Sequence, residues 1–133
     1  GLGVSAISKV GSVMVQNTRE LDAYEDALSR GHLALFRGHE LTRDDIIRYS
    51  VIMGLLCQGS VQFQDYSQSH WIEFESYFEK ELAKLRQFSE QGLLDMDEQG
   101  IEVTPLGWFF ARPIAMVFDH YLHQRSSGHS KVL

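Results

Sequence analysis

Four arginines and a pair of histidines are the residues of this chain best suited to chemistry. Arg37, Arg43, Arg48 and Arg112 carry planar guanidinium groups, which fork a carboxylate where lysine offers only a point charge. Their plainer use is in surface ion pairs, worth about 0–1 kcal/mol each. His120 and His123 stand one helical turn apart with Asp119 beside them. Zinc needs three or four converging ligands, so this pair falls short and no metal site is expected. Cys57, the single cysteine, falls near the C-terminal end of a predicted helix, a poor place for a thiolate nucleophile. It reads as a small core residue. Gly1-Leu2-Gly3 resembles the start of a nucleotide-binding turn, but Ala6 stands where the third glycine belongs and no helix follows. No catalytic residue emerges from these patterns.

The elements that must position these groups can be traced along the chain. GVSAI is β-branched and uncharged, which predicts a buried strand over residues 2–8, and SVMVQ predicts a short second strand over 12–16. Thr18 is a candidate cap for a helix from Arg19 to Arg30, with Gly31 as its left-handed terminator. HLALFRGHEL reads as irregular. Thr42 then opens a stronger helix. Asp45 sits at its third position as in a capping box, and Asp44 and Asp45 suit the positive end of the dipole. Ile47, Val51 and Leu55 form its buried stripe until Gly59. Residues 60–70 read as a loop. Phe74, Phe78, Leu82, Leu85 and Phe88 trace a long amphipathic helix from Ile72 to Gly92. Leu94, Met96, Ile101 and Val103 share one face of a β-hairpin over 93–104, turned at DEQG. Thr104-Pro105 starts a last helix, with Phe109, Phe110, Ile114, Val117, Phe118, Tyr121 and Leu122 inward and a bend at Pro113.

Composition narrows the function. The chain has 133 residues, enough for one ordinary domain's core, and a net charge of −6. Helix and hairpin over 70–104 have a winged-helix outline. That segment carries nine acidic residues against the three bases Lys80, Lys84 and Arg86, and such a wing repels phosphate. Neither nucleic acid nor membrane is expected as a partner. A single cysteine fits a reducing cytoplasm.

Three stretches taken in order, GLGVSAIS, RGHELTRDDIIR…VIMGLLC and GLLDMDEQGIEVTPLG…IAMVFDHYL, resemble the last third of bacterial oxygen-independent coproporphyrinogen III oxidase. That family consists of radical S-adenosylmethionine enzymes of haem biosynthesis. The resemblance covers essentially the whole chain. It implies a C-terminal fragment of a larger oxidoreductase, in which coproporphyrinogen III loses two propionate carboxyls to give protoporphyrinogen IX. The cofactors it implies for the parent are S-adenosylmethionine and a 4Fe-4S cluster. The Cys-x3-Cys-x2-Cys motif that holds the cluster does not occur here, so the fragment alone is expected to bind neither and to be inactive.

The same resemblance sets the expected organisation. The fold is α+β, mainly α with a small hairpin: a winged-helix-like C-terminal domain behind a remnant strand of the catalytic barrel. Residues 1–16 end that barrel, 17–41 connect, 42–125 form the helical domain and 126–133 a flexible tail. Partners are then the missing N-terminal barrel of the same chain and coproporphyrinogen III, and the fragment is expected to be a monomer. Ile7 corresponds to the isoleucine that contacts a second S-adenosylmethionine. Arg48 and Arg112 survive from a more basic family pattern, and both are candidates for binding substrate carboxylates. Where the family pattern runs Arg-Leu-Leu-Ile-Arg-Asn, this chain has Trp108-Phe109-Phe110-Ala111-Arg112-Pro113, and Tyr49 replaces a second basic residue after Arg48. A stand-alone interaction or haem-handling module derived from the domain is the alternative reading.

Overall fold

The computed structural model describes residues 1–122, divided between a first unit, Gly1–Ile46, and a second that begins at Ile47. In the first, β1 (Ile7–Val10), β2 (Val13–Asn17) and β3 (Leu35–Glu40) form an antiparallel sheet in the order β1-β2-β3. The β1–β2 turn is Gly11-Ser12, with Gly11 at φ +59°, a left-handed first position that matches the twist of a two-residue hairpin. α1 (Leu21–Ser29) links β2 to β3, and its N-cap is Glu20. Thr18 does not cap it, although its Oγ1 accepts the Glu20 N–H at 3.4 Å.

Two expectations fail in this unit. The strand placed over 2–8 begins only at Ile7, because Gly3 (φ +96°) and Ser5 (φ +59°) turn the chain first. Nor is it buried: Ile7 is 61% exposed. The stretch read as irregular supplies β3, every residue of which is exposed. What ties the leading turn down is polar. Buried Asn17 donates its side-chain amide to the carbonyls of Gly1 (3.3 Å) and Gly3 (2.9 Å), while the Ser5 N–H bonds the Thr18 carbonyl at 2.8 Å.

In the second unit the apolar pattern closes on itself. α2 (Arg43–Gln58), whose first turn still belongs to the first unit, begins with the expected capping box: Thr42 Oγ1 accepts the Asp45 N–H at 3.1 Å, and the Asp45 carboxylate accepts the Thr42 N–H at 2.8 Å. Ile47, Val51 and Leu55 are fully buried along one stripe, and Gly59 ends the helix at φ +70°. Residues 60–70, read as a loop, form β4 (Ser60–Gln62) and α3 (Phe63–His70). The long helix expected from Ile72 is two, α4 (Phe74–Tyr77) and α5 (Glu79–Glu90), parted at Phe78 where ψ is +25°. The hairpin is as expected, β5 (Leu94–Met96) pairing Leu94 with Val103 and Met96 with Ile101 of β6 (Gly100–Val103). β4 adds to its other side, giving the order β4-β6-β5.

The chain then enters a 3-10 helix (Gly107–Phe110) and α6 (Ala111–Met116). The N-cap of the 3-10 helix is Leu106 and not the expected Thr104, whose Oγ1 accepts the Gly107 N–H at 3.0 Å just before it. The α-helical period used for the sequence does not hold through a 3-10 turn of three residues, and Phe109 ends 85% exposed, with Phe110, Tyr121 and Leu122 also exposed. Pro113, where a bend was expected, does not occupy a helix-interior position. It lies in the first turn of α6, where its missing N–H would lack a helical partner anyway. The core is a run of aromatic rings: Phe63 stacks on Phe74 (4.6 Å), Phe74 meets Phe78 (4.8 Å), and Phe78 meets Phe118 edge-on (5.1 Å). This α+β arrangement agrees with the expected class. The predicted tail, 126–133, lies outside the described residues. No helix among the described residues is long and apolar enough to cross a membrane.

Candidate functional site

The arginines singled out from sequence meet different fates. Arg37 on β3 donates its Nε–H to the Gln16 side chain of β2 at 2.9 Å, a cross-strand pair that the sheet register makes opposite neighbours. Arg43 is exposed in the first turn of α2. Arg48, one turn of α2 before Ile52 at the edge of the second unit's core, turns inward. One of its terminal nitrogens donates to Glu81 of α5 at 2.9 Å and to the Phe118 carbonyl at 3.1 Å. Its guanidinium carbon lies 5.3 Å from the centre of the Phe78 ring, a cation–π distance. Both partners of the ion pair are largely buried, with side-chain exposures of 16% and 15%. Arg112 is exposed as the second residue of α6, two positions before buried Ile114. Ile7 lies on β1, opposite Gln16.

Other candidates resolve simply. Cys57 is exposed, which corrects its reading as a core residue. It follows Leu55 by two residues, about 200° around the helix from the buried stripe. The His120 ring lies 3.9 Å from that of Tyr121, while His123 lies outside the described residues. Among the described residues no group of three or more His, Cys, Asp or Glu side chains converges as a metal site would need.

One polar junction has no counterpart in the sequence patterns. Ser50 on α2 donates its hydroxyl proton to the Ile47 carbonyl at 2.7 Å, and His70 at the end of α3 places Nε2 2.9 Å from the same oxygen. Which of the two donates in this contact is set by the His70 tautomer. The contact ties the end of α3 to the middle of α2. Tyr66 adds a hydrogen bond from its hydroxyl to the Ser50 carbonyl at 3.3 Å. Burial, and then the neighbouring Asp65 charge, raise the Tyr66 pKa above that of an ordinary phenol. Gly54 is the one signal in the sequence that points here. A Cβ there would fall on the Tyr66 hydroxyl, so a glycine inside a helix marks a close approach. Gly59 marks another, lying under the Trp108 ring.

Residues 41–110 match the family described as the HemN C-terminal domain. Along most of its length the chain is similar to oxygen-independent coproporphyrinogen III oxidases. It is 41% identical to that of Salmonella typhimurium over 126 residues, covering 95% of this chain and 28% of the relative. With the Pseudomonas aeruginosa protein it shares 39% identity over 122 residues, covering 92% and 26%. With that of Helicobacter pylori it shares 36% over 133 residues, covering 100% and 29%. Among solved structures it resembles coproporphyrinogen III oxidase (HemN) from Escherichia coli, a radical SAM enzyme. The TM-score is 0.82 at 41% identity, covering 91% of this chain and 28% of the other. The chain thus spans between 26% and 29% of the length of these relatives.

Proposed function

This chain belongs to the HemN C-terminal domain family, and from that premise we propose that it is the C-terminal part of an oxygen-independent coproporphyrinogen III oxidase. The parent enzyme converts coproporphyrinogen III to protoporphyrinogen IX by oxidative decarboxylation of two propionates. The observation that carries this reading is the joint likeness in sequence and fold to one enzyme, 41% identity with a TM-score of 0.82. A 4Fe-4S cluster needs several thiolates, and the sequence supplies one, Cys57. The residues present do not fit the cluster, so it belongs to the barrel part of the parent, with S-adenosylmethionine bound there.

The domain's own work, in this proposal, is to cover the mouth of the barrel and help hold the tetracarboxylate substrate. Arg112 is the base best suited to that role, being exposed and able to fork a propionate with its guanidinium. Arg48 is the other candidate. A propionate reaching it would have to displace Glu81 from a nearly buried pair. Ile7, exposed on β1, offers apolar contact to the adenosyl group of a second S-adenosylmethionine.

A chimera tests the proposal. The Salmonella typhimurium oxidase carrying this chain in place of its own matching segment should convert coproporphyrinogen III, while the chain alone should not. Arg112→Ala in that chimera should raise KM and cost about 1.5–3 kcal/mol in kcat/KM, with Lys restoring part. An inactive but folded chimera, together with stoichiometric haem binding by the chain alone, would instead favour a haem-handling module.

A further inference from the structure

Arg48 does more than pair with Glu81. Phe118 lies two residues past the end of α6, and its amide continues the turn there by donating to the Ala115 carbonyl at 3.1 Å. Arg48 of α2 donates to the Phe118 carbonyl at 3.1 Å, and Glu81 balances its charge from a third element, α5. The same guanidinium lies over Phe78, whose ring meets Phe118 edge-on at 5.1 Å. Three elements are thus joined at one charged group beside two rings that are 0% exposed. Apolar packing alone fixes how deep Phe118 sits. It does not fix the rotation of the peptide that follows, and a hydrogen bond to its carbonyl does.

We infer that Arg48 is a positioning residue: by holding the Phe118 carbonyl it fixes how α6 ends and, through α6, how Arg112 is presented. The link to Arg112 rests on the reading of that residue as a carboxylate-binding base; the bond at the helix end does not. Its positive charge also complements the negative end of the α6 dipole.

Hydrogen exchange on the 133-residue chain tests this. The Phe118 and Asp119 amides bond the Ala115 and Met116 carbonyls, both at 3.1 Å, and report on the helix end. The Val103 and Phe63 amides, bonded to the Gly59 (2.7 Å) and Gln99 (2.9 Å) carbonyls, report on the hairpin sheet. Arg48→Met should speed the first pair about tenfold relative to the second. Arg48→Lys should recover part of the protection, since an ammonium has donors for both acceptors. Glu81→Gln keeps an acceptor oxygen and should give a smaller change of the same kind. An unchanged ratio in Lys and Gln variants, or equal acceleration of both pairs, overturns the inference, and these two variants decide the matter should the Met variant not fold. Unaltered KM after Arg112→Ala in the chimera would end the reading of Arg112 while leaving the exchange ratio as it is.

Discussion

Phe36 and Phe78 are the same side chain in opposite circumstances. Phe36, on β3 of the first unit, is 64% exposed, whereas Phe78, at the joint between α4 and α5, is 0% exposed. The difference extends to the regions around them. The first unit buries only Asn17, Ala34 and Asp45 below a tenth of their surface, and leaves Leu2, Ile7, Val10, Leu33 and Phe36 each more than 60% exposed. The second closes Phe74, Phe78, Phe118, Leu85 and Leu94 to solvent almost completely. One region is held by backbone ladders and an asparagine, the other by the hydrophobic effect. Similar apolar content can therefore serve two ends, and only packing tells which.

The comparison can be broken at three places. Phe78→Ala should be the most damaging, costing about 3–5 kcal/mol in urea unfolding followed by the second unit's signals. The rings of Phe74, Tyr77 and Phe118 and the Arg48 guanidinium all lose a neighbour. A loss under about 1 kcal/mol would mean that the aromatic run is not a tight core. Asn17→Ala strips the donor from two carbonyls and should lower the local opening free energy of the Ser5 amide by about 1–2 kcal/mol. Amides of the second unit should not respond. Phe36→Ala, the matched control for Phe78, should change stability by less than about 0.5 kcal/mol. A larger loss would reveal that this face is covered in solution.

The same contrast explains what the sequence made legible. Thr42 with Asp45, Gly59, Gly92 and the hairpin partners Leu94 and Val103 were readable because each signal is local: a cap, a left-handed terminator, an alternation across a short turn. β4 was not, since it is three residues long and its Val61 pairs with Ile101, far along the chain. α3 carries one buried residue, Phe63, and so has no stripe to read. The α4–α5 break was hidden because the spacing of Phe74, Phe78 and Leu82 runs unbroken across it. At the candidate site, guanidinium chemistry singled out four arginines, and the family resemblance narrowed them to Arg48 and Arg112. It could not reveal that Glu81, 33 positions away, had claimed the first.

Both tryptophans belong to the second unit. Trp71 is 88% exposed in a left-handed conformation (φ +54°) after α3, while Trp108 lies against Gly59 at the end of α2. Excited at the red edge, where tyrosine absorbs little, the chain emits only from that half. A fluorescence melt would register the aromatic core coming apart and stay dark to the sheet of Gly1–Ile46, however early that sheet opened. Iodide would quench Trp71 first, leaving Trp108 as a lamp on the close contact between its ring and the glycine beneath it.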